Sequence, residues 1–286
     1  MKRGFWRFTL GSFLVALCWG CGANATGPFV EPFCDTRSPL AIVTFEDANL
    51  EAAIREALSV APERDLSCGL LETLTTLSAA RSGITSLAGI ENLSGLTFLW
   101  IRANSITDIS VLSALESLTF LNLADNSITD INPLSGLTGL TFLAINENEN
   151  ITDIGALSGL TNLTGTLWIH GNAITDLSAL SGLTNLTALN AWNNSITDLG
   201  PLSGLTGLTE LRLHINALTD LGVLRGLTNL TTLSLHTNPD LSDIQPLLDN
   251  PGLGTGDNVQ LALTNVSCAD VDALRAKGVA VISDCP

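Results

Sequence analysis

The strongest constraint on this chain is a 22-residue period. The stretch LSGLTNLTALNAWNNSITDLGP, residues 180–201, recurs in recognisable copies from residue 68 to residue 246. The copies begin at Cys68, Ile90, Leu112, Leu134, Leu157, Leu180, Leu202 and Leu224. Counted from the start of a copy, apolar residues return at positions 1, 4, 7, 10, 12, 17 and 20, with asparagine at 15 and aspartate at 19. Positions 8 to 13 alternate, as in Thr187-Ala188-Leu189-Asn190-Ala191-Trp192, which predicts a short strand with one buried face. One copy cannot bury its own leucines. Copies must therefore stack, strand beside parallel strand, so that a sheet lines one side of the array.

This is the pattern of a leucine-rich repeat, and eight copies specify an α/β solenoid with a curved parallel sheet on its concave face. A right-handed coil is expected, with strands centred near Leu77, Leu99, Leu121, Leu143, Leu167, Leu189, Leu211 and Leu233. The position-15 residues Asn104, Asn126, Asn148, Asn172, Asn194, Asn216 and Asn238 should form an internal ladder. Their amides would satisfy backbone groups otherwise buried unpaired where the chain leaves the sheet. Asp108, Asp130, Asp153, Asp176, Asp198, Asp220 and Asp243 precede the returning segment, where a carboxylate can accept backbone N–H groups of the next turn. One carboxylate per repeat is too few oxygens for a calcium cage, so no calcium ladder is expected. Repeats four, five and eight each carry one extra residue, in the stretches Asn148-Glu149-Asn150-Ile151, Leu163-Thr164-Gly165-Thr166-Leu167 and Asn238-Pro239-Asp240-Leu241. These read as loop insertions.

Ahead of the repeats, residues 1–7 hold three basic residues and no acid, and an apolar run follows over about 8–19. The run is too short and too one-sidedly flanked to span a membrane, and reads as a secretory signal. Cys18-Trp19-Gly20-Cys21 resembles a degenerate lipoprotein box, whereas Ala23-Asn24-Ala25 suits ordinary export with cleavage before Thr26. Lipidation of Cys21 is the favoured reading, because a cysteine so soon after the apolar run is otherwise unexplained. On either reading the protein leaves the cytoplasm. Four cysteines remain beyond the leader: Cys34, Cys68, Cys268 and Cys285. An even number in an exported chain suggests disulfides. Eight strands at about 4.8 Å separate the two ends by roughly 40 Å, far beyond the roughly 7 Å a bridge can span. Only Cys34–Cys68 and Cys268–Cys285 can then form, and a four-cysteine zinc site fails for the same reason.

The organisation expected is a signal over residues 1–21, a tether over 22–40, an N-terminal helical cap over 41–67, repeats over 68–246 and a C-terminal cap over 247–286. Asp47 can cap a helix whose apolar face includes Leu50, Ile54 and Leu58. The segment Phe45-Glu46-Asp47-Ala48-Asn49-Leu50-Glu51-Ala52-Ala53-Ile54 resembles the N-terminal cap of bacterial leucine-rich repeat proteins of the internalin type. That resemblance covers nearly the whole chain beyond the leader. It implies the solenoid fold and a recognition function without naming a partner. At the far end a last strand (259–263), a short helix (269–277) and residues 279–283 should close the array, stapled by Cys268–Cys285.

Three of the 12 basic residues lie in the leader, which leaves nine against 28 acids, a net of −19. Such a surface disfavours nucleic acid and anionic membranes, so membrane contact is expected only through a lipid anchor. There is no Gly-x-Ser-x-Gly, phosphate loop or His-Glu-x-x-His, and no enzymatic activity is expected.

What remains is the open face of the sheet, read from positions 9, 11 and 13. Position 9 includes Phe98, Phe120 and Phe142. Position 11 includes Trp100, Asn122, Trp168, Asn190 and Arg212. Position 13 includes Arg102, Asn146, His170, Trp192, His214 and His236. The repeat needs no tryptophan or histidine there, yet every one beyond the leader lies in these columns. Large side chains in strands can merely shield a sheet. Rigid aromatics beside arginine and asparagine are also the usual make-up of a recognition surface. A protein partner is expected on these residues. The alternative is a polysaccharide, with Trp100, Trp168 and Trp192 stacking on sugar rings while Asn122, Asn146 and Asn190 bond the hydroxyls. His214 and His236 are near enough to share a zinc ion, but no further ligand is placed to complete a site, and no metal or other cofactor is expected.

Overall fold

Each repeat contributes a short strand with a buried leucine near its middle, and these leucines stack from strand to strand. The computed structural model describes Cys34 and residues 39–286; the expected leader, its Cys21 and most of the expected tether lie outside the described residues. The strands are β1 Thr76–Ser78, β2 Phe98–Trp100, β3 Phe120–Asn122, β4 Phe142–Ala144, β5 Gly165–Trp168, β6 Leu186–Asn190, β7 Glu210–Arg212, β8 Thr232–Ser234, β9 Asn258–Gln260 and β10 Ala280–Ile282. They form one sheet in sequence order, parallel throughout. Register pairs Leu77 with Leu99, Leu99 with Leu121, Leu121 with Leu143, Leu167 with Leu189, and so on to Leu233 with Val259. A one-residue slip would turn every leucine to solvent, so burial fixes this register. The extra residue of repeat five disturbs it locally. β4 and β5 pair only at Ala144 and Trp168, and a bulge falls between Gly165 and Thr166.

Behind the sheet the chain returns through short 3-10 turns such as Ser110–Ala114, Gly155–Gly159 and Gly200–Gly204. One apolar core runs unbroken from Phe45 to Val279. The asparagine ladder is present. Asn126 Nδ2 donates to the carbonyls of Ile101 (3.2 Å) and Leu123 (3.0 Å), while its Oδ1 accepts from Ile106 N–H (3.1 Å). Asn148, Asn194, Asn216 and Asn238 repeat the arrangement. Asn172 departs from it. The N–H its Oδ1 would accept is that of Ile151, which follows the residue inserted in repeat four, and this buried oxygen has no partner. Each aspartate of the position-19 column accepts the backbone N–H two residues on, from Asp108 to Ser110 (2.8 Å) through Asp243 to Gln245 (2.7 Å).

At the N-terminal end, helix α1 (Ala48–Leu58) buries Leu50 and Ile54 against the first repeat, with Leu58 half-buried. Asp47 Oδ1 caps it by accepting from Asn49 N and Leu50 N. Phe45 sits beside Gly89 so closely that a Cβ there would lie 2.7 Å from its ring. Helix α2 (Cys68–Leu71) opens the first repeat. Cys34 is bonded to Cys68, is buried, and donates its N–H to Asn92 Oδ1 at 3.0 Å. Pro39 O accepts from Gly69 N. The cap thus reaches back into the segment expected to be a tether. At the other end, helices α3 (Gln245–Leu248) and α4 (Cys268–Ala276) flank β9, and β9 and β10 continue the parallel sheet beyond the last repeat. Cys268 is bonded to Cys285. No helix among the described residues is long and apolar enough to cross a membrane.

Candidate binding face of the sheet

The strands hold identical repeat positions one strand apart, so like side chains stack across the sheet. Phe98, Phe120 and Phe142 lie face to face, with centroids 4.2 Å apart at both steps and planes within 13° and 3°. Trp100 leans over them, 6.4 Å from Phe98 and 6.1 Å from Phe120, and is 36% exposed. Arg102 beside it is exposed and forms no ion pair among the described residues.

A second stack follows position 13 through the later repeats. His170 and Trp192 are 4.5 Å apart, Trp192 and His214 5.2 Å, and His214 and His236 4.2 Å, with planes within 21°. Trp168 meets His170 edge-on at 5.8 Å. The rings cover one another, so the face is less open than a column of separate aromatics would be. His170 is 7% exposed and Asn190 3%, and neither offers a free contact surface. Among the described residues, His170 Nδ1 and Asn190 Oδ1 have no hydrogen-bond partner. Trp168, Trp192, His214 and His236 are half-buried, and Arg212 is exposed but paired with Glu210.

Burial holds His170 at a pKa of about 4, helped by the charges of His214, Arg212 and Arg102. Burial, then His236 and Arg212, hold His214 at about 4 as well, and burial lowers His236. The stack is therefore neutral near pH 7. Ser234 Oγ donates to Gln260 Oε1 (3.0 Å) and lies 3.1 Å from His214 Nδ1. The serine has one proton, so His214 carries its own on Nδ1 and donates it. His236 Nδ1 lies 3.1 Å from Thr237 Oγ1. Among the described residues no three of His, Cys, Asp and Glu gather as a metal-binding group.

The asparagines named for sugar hydroxyls are mostly out of reach. Asn122 and Asn190 are buried, Asn122 Oδ1 accepts Ala124 N–H, and Asn146 is half-buried. Two shallow hollows are accessible, and Asn122 and Asn146 line the first of them. One of about 370 Å³ lies between Trp100 and Trp168, floored by Ala124 and Ala144. The other, about 350 Å³, is lined by Ser78, Ala80, Arg81, Trp100, Arg102 and Ala103. Arg81 and, beside His170, Glu147 belong to this face although neither is in a face column. Glu147 Oε1 lies 3.7 Å from His170 Nε2, and burial with the charges of Asp125 and Glu149 raises its pKa. Both are position-14 residues, and only the backbone turn there brings them round.

The family model described as leucine-rich repeats (2 copies) matches residues 116–162, 166–204, 184–225 and 206–249. The structure of internalin C2 from Listeria monocytogenes is 31% identical, with a TM-score of 0.70 over 81% of this chain and 100% of that one. The functional domain of InlJ from Listeria monocytogenes is 26% identical, with a TM-score of 0.55 over 85% of this chain and 62% of that one. The leucine-rich repeat protein LIC12759 of Leptospira interrogans shares the fold alone, at 22% identity and a TM-score of 0.57 over 69% of this chain and 57% of that one. Comparison with curated proteins finds no match. A capped parallel solenoid with a stacked aromatic face defines a leucine-rich repeat interaction scaffold. Within that class, the chain belongs to the bacterial internalin-type family.

Proposed function

We propose that this protein is an exported, non-enzymatic binding module that captures a protein partner on the open face of its sheet. The observation that carries this reading is the set of half-exposed tryptophans and the unpaired Arg102 on one continuous face of an internalin-type solenoid. Tryptophan and arginine dominate the centres of protein contacts. Burial of Asn122 and Asn190 weighs against the polysaccharide alternative. Two disulfides suit an oxidising compartment outside the cytoplasm. Anchoring through Cys21 is the favoured route, with cleavage after Ala25 the other; palmitate labelling that survives Cys21→Ser would exclude the anchor.

The test is affinity capture with the mature chain, followed by titration of the captured partner. Trp168→Ala and Trp192→Ala should each weaken binding at least roughly tenfold, about 1.4 kcal/mol. Changes at Asn185 or Asn229, which bond the Thr161 and Thr206 carbonyls behind the sheet, should leave affinity unaltered. Protease treatment of the target should abolish capture. Normal binding by both tryptophan variants, with loss in the Asn229 variant, would put the site on the other face.

A further inference from the structure

We infer that the early repeats receive an acidic peptide segment of the partner, with a carboxylate between Arg81 and Arg102 and an apolar side chain between Trp100 and Trp168. This rests on the reading of the sheet face as a protein-binding surface and names the chemistry of what it binds. The two hollows share Trp100 and Arg102, so one ligand can occupy both.

Charge argues for the carboxylate. The chain carries a formal net charge of −16, and most of the described cations are committed, Arg64 beside the N-terminal cap being an exception away from the sheet face. Among the described residues, Arg55, Arg212, Arg225 and Arg275 pair with carboxylates, and Lys277 donates to the carbonyls of Leu247, Leu248 and Asn250. Among the described residues Arg81 and Arg102 form neither an ion pair nor a side-chain hydrogen bond, and they are neighbours. Arg81 N donates to Arg102 O at 3.0 Å, and both line the first hollow. Two free guanidinium forks around one hollow match the planar, bidentate geometry of a carboxylate.

The second hollow has aromatic walls, Trp100, Phe142 and Trp168, with Asn122 and Asn146 among its lining. Ala124, Ala144 and the buried Asn122 leave room on the sheet face between tryptophans three strands apart, about 14 Å by strand spacing. Glu147, 3.7 Å from His170 of this hollow and under the charges of Asp125 and Glu149, makes this side less favourable for an anion. The carboxylate therefore belongs over β1 and β2, the apolar side chain over β3 and β4. Those centres are about 10 Å apart, or about three residues of extended chain.

The probe is a displayed library of random peptides, selected on the full mature chain and counter-selected on the Arg81→Gln/Arg102→Gln chain. Enriched peptides should carry Asp or Glu about three residues from Trp, Phe, Leu or Ile. A soluble copy should lose at least tenfold in affinity for the double-arginine variant, and equally when its acid is changed to the amide. Added salt should weaken it further. Both arginines are exposed, so the variants should melt as the parent does. Enriched peptides without an acid, or acidic peptides that bind the double variant normally, overturn the inference. Peptides that need Trp192 and Arg212 but neither early arginine overturn it and leave the protein-binding reading standing. No enriched peptide, together with binding to purified polysaccharide that Trp100→Ala abolishes, overturns both.

Discussion

At position 14 of every repeat the backbone turns left-handed. Arg81, Ala103, Asp125, Glu147, Gly171, Asn193, Ile215 and Thr237 have φ between 52° and 65°. Gly171, Asn193 and Asp125 suit that conformation best; a β-branched residue there is strained. Ile215 is 39% exposed, so its side chain gains little from burial. Ile215→Asn should raise stability by about 1 kcal/mol, the order of the left-handed penalty. Denaturant unfolding at fixed slope checks it, and an unchanged or lower midpoint would mean that contacts of the Ile215 side chain outweigh the strain. Nothing in the sequence announces this turn, because its occupants share no chemistry. It is imposed by neighbours, through bonds such as Ala103 N to Ala124 O (2.9 Å) and Ile215 N to His236 O (3.1 Å). The asparagine ladder was legible for the opposite reason. Only an amide can donate to two carbonyls and accept from an N–H at one buried point, as Asn126 does, so one residue type must recur there.

At the scale of elements, α1 and the first repeat are joined through one carboxylate. Asp47 Oδ2 accepts from Thr85 N (2.7 Å), Thr85 Oγ1 (2.9 Å) and Ser86 N (3.2 Å), while Oδ1 caps the helix. The cap was readable from Asp47 preceding an apolar helical face; the contact across 38 residues was not, since no local pattern encodes it. Burial would raise the pKa of Asp47, but the N–H groups of Thr85, Leu50 and Ser86 and the Thr85 hydroxyl prevail and lower it from 3.8 to about 2. Its stabilisation is complete above the unfolded value of 3.8 and is lost as pH falls through about 2. Asp47→Asn should cost about 2 kcal/mol at pH 7, and the gap between parent and variant should close near pH 2. A gap of equal size at both pH values would show that the charge is not what matters. The position-13 stack behaves differently. His170 and His214 fold as neutral bases with pKa held to about 4, so their contribution is complete above 6.5 and is lost as pH falls through about 4. The near-UV dichroism of Trp192, which lies between them, should change with a midpoint near 4. A midpoint near 6.5 would mean that the stack is open to water. The columns themselves were legible from the period. Which rings cover which was not, because His170 is covered both by Trp168, two residues before it in its own repeat, and by Trp192 from the next repeat, and no local pattern encodes the second contact.

Across the whole molecule each strand touches only its neighbours, so stability is a chain of local interfaces rather than one closed core. Such an array is weakest where it stops. β1 is covered by α1, with Cys34–Cys68 holding the preceding segment to the first repeat. At the other end β10 has β9 as its single strand neighbour, and its outer residues Ala280 and Ile282 are exposed. What fastens it is α4, Lys277 on the carbonyls that end α3, and the Cys268–Cys285 bridge. That bridge spans 17 residues, a loop for which cross-linking is worth about 3 kcal/mol. In a Cys268→Ser/Cys285→Ser chain the loss should stay at its own end. Amide hydrogen exchange should show β9, β10 and α4 losing protection while β4 to β7 keep theirs, since opening one terminal unit exposes only one interface. Protection that falls equally along all ten strands would instead mean that the solenoid unfolds as one unit, and that its C-terminal cap is required for every repeat before it.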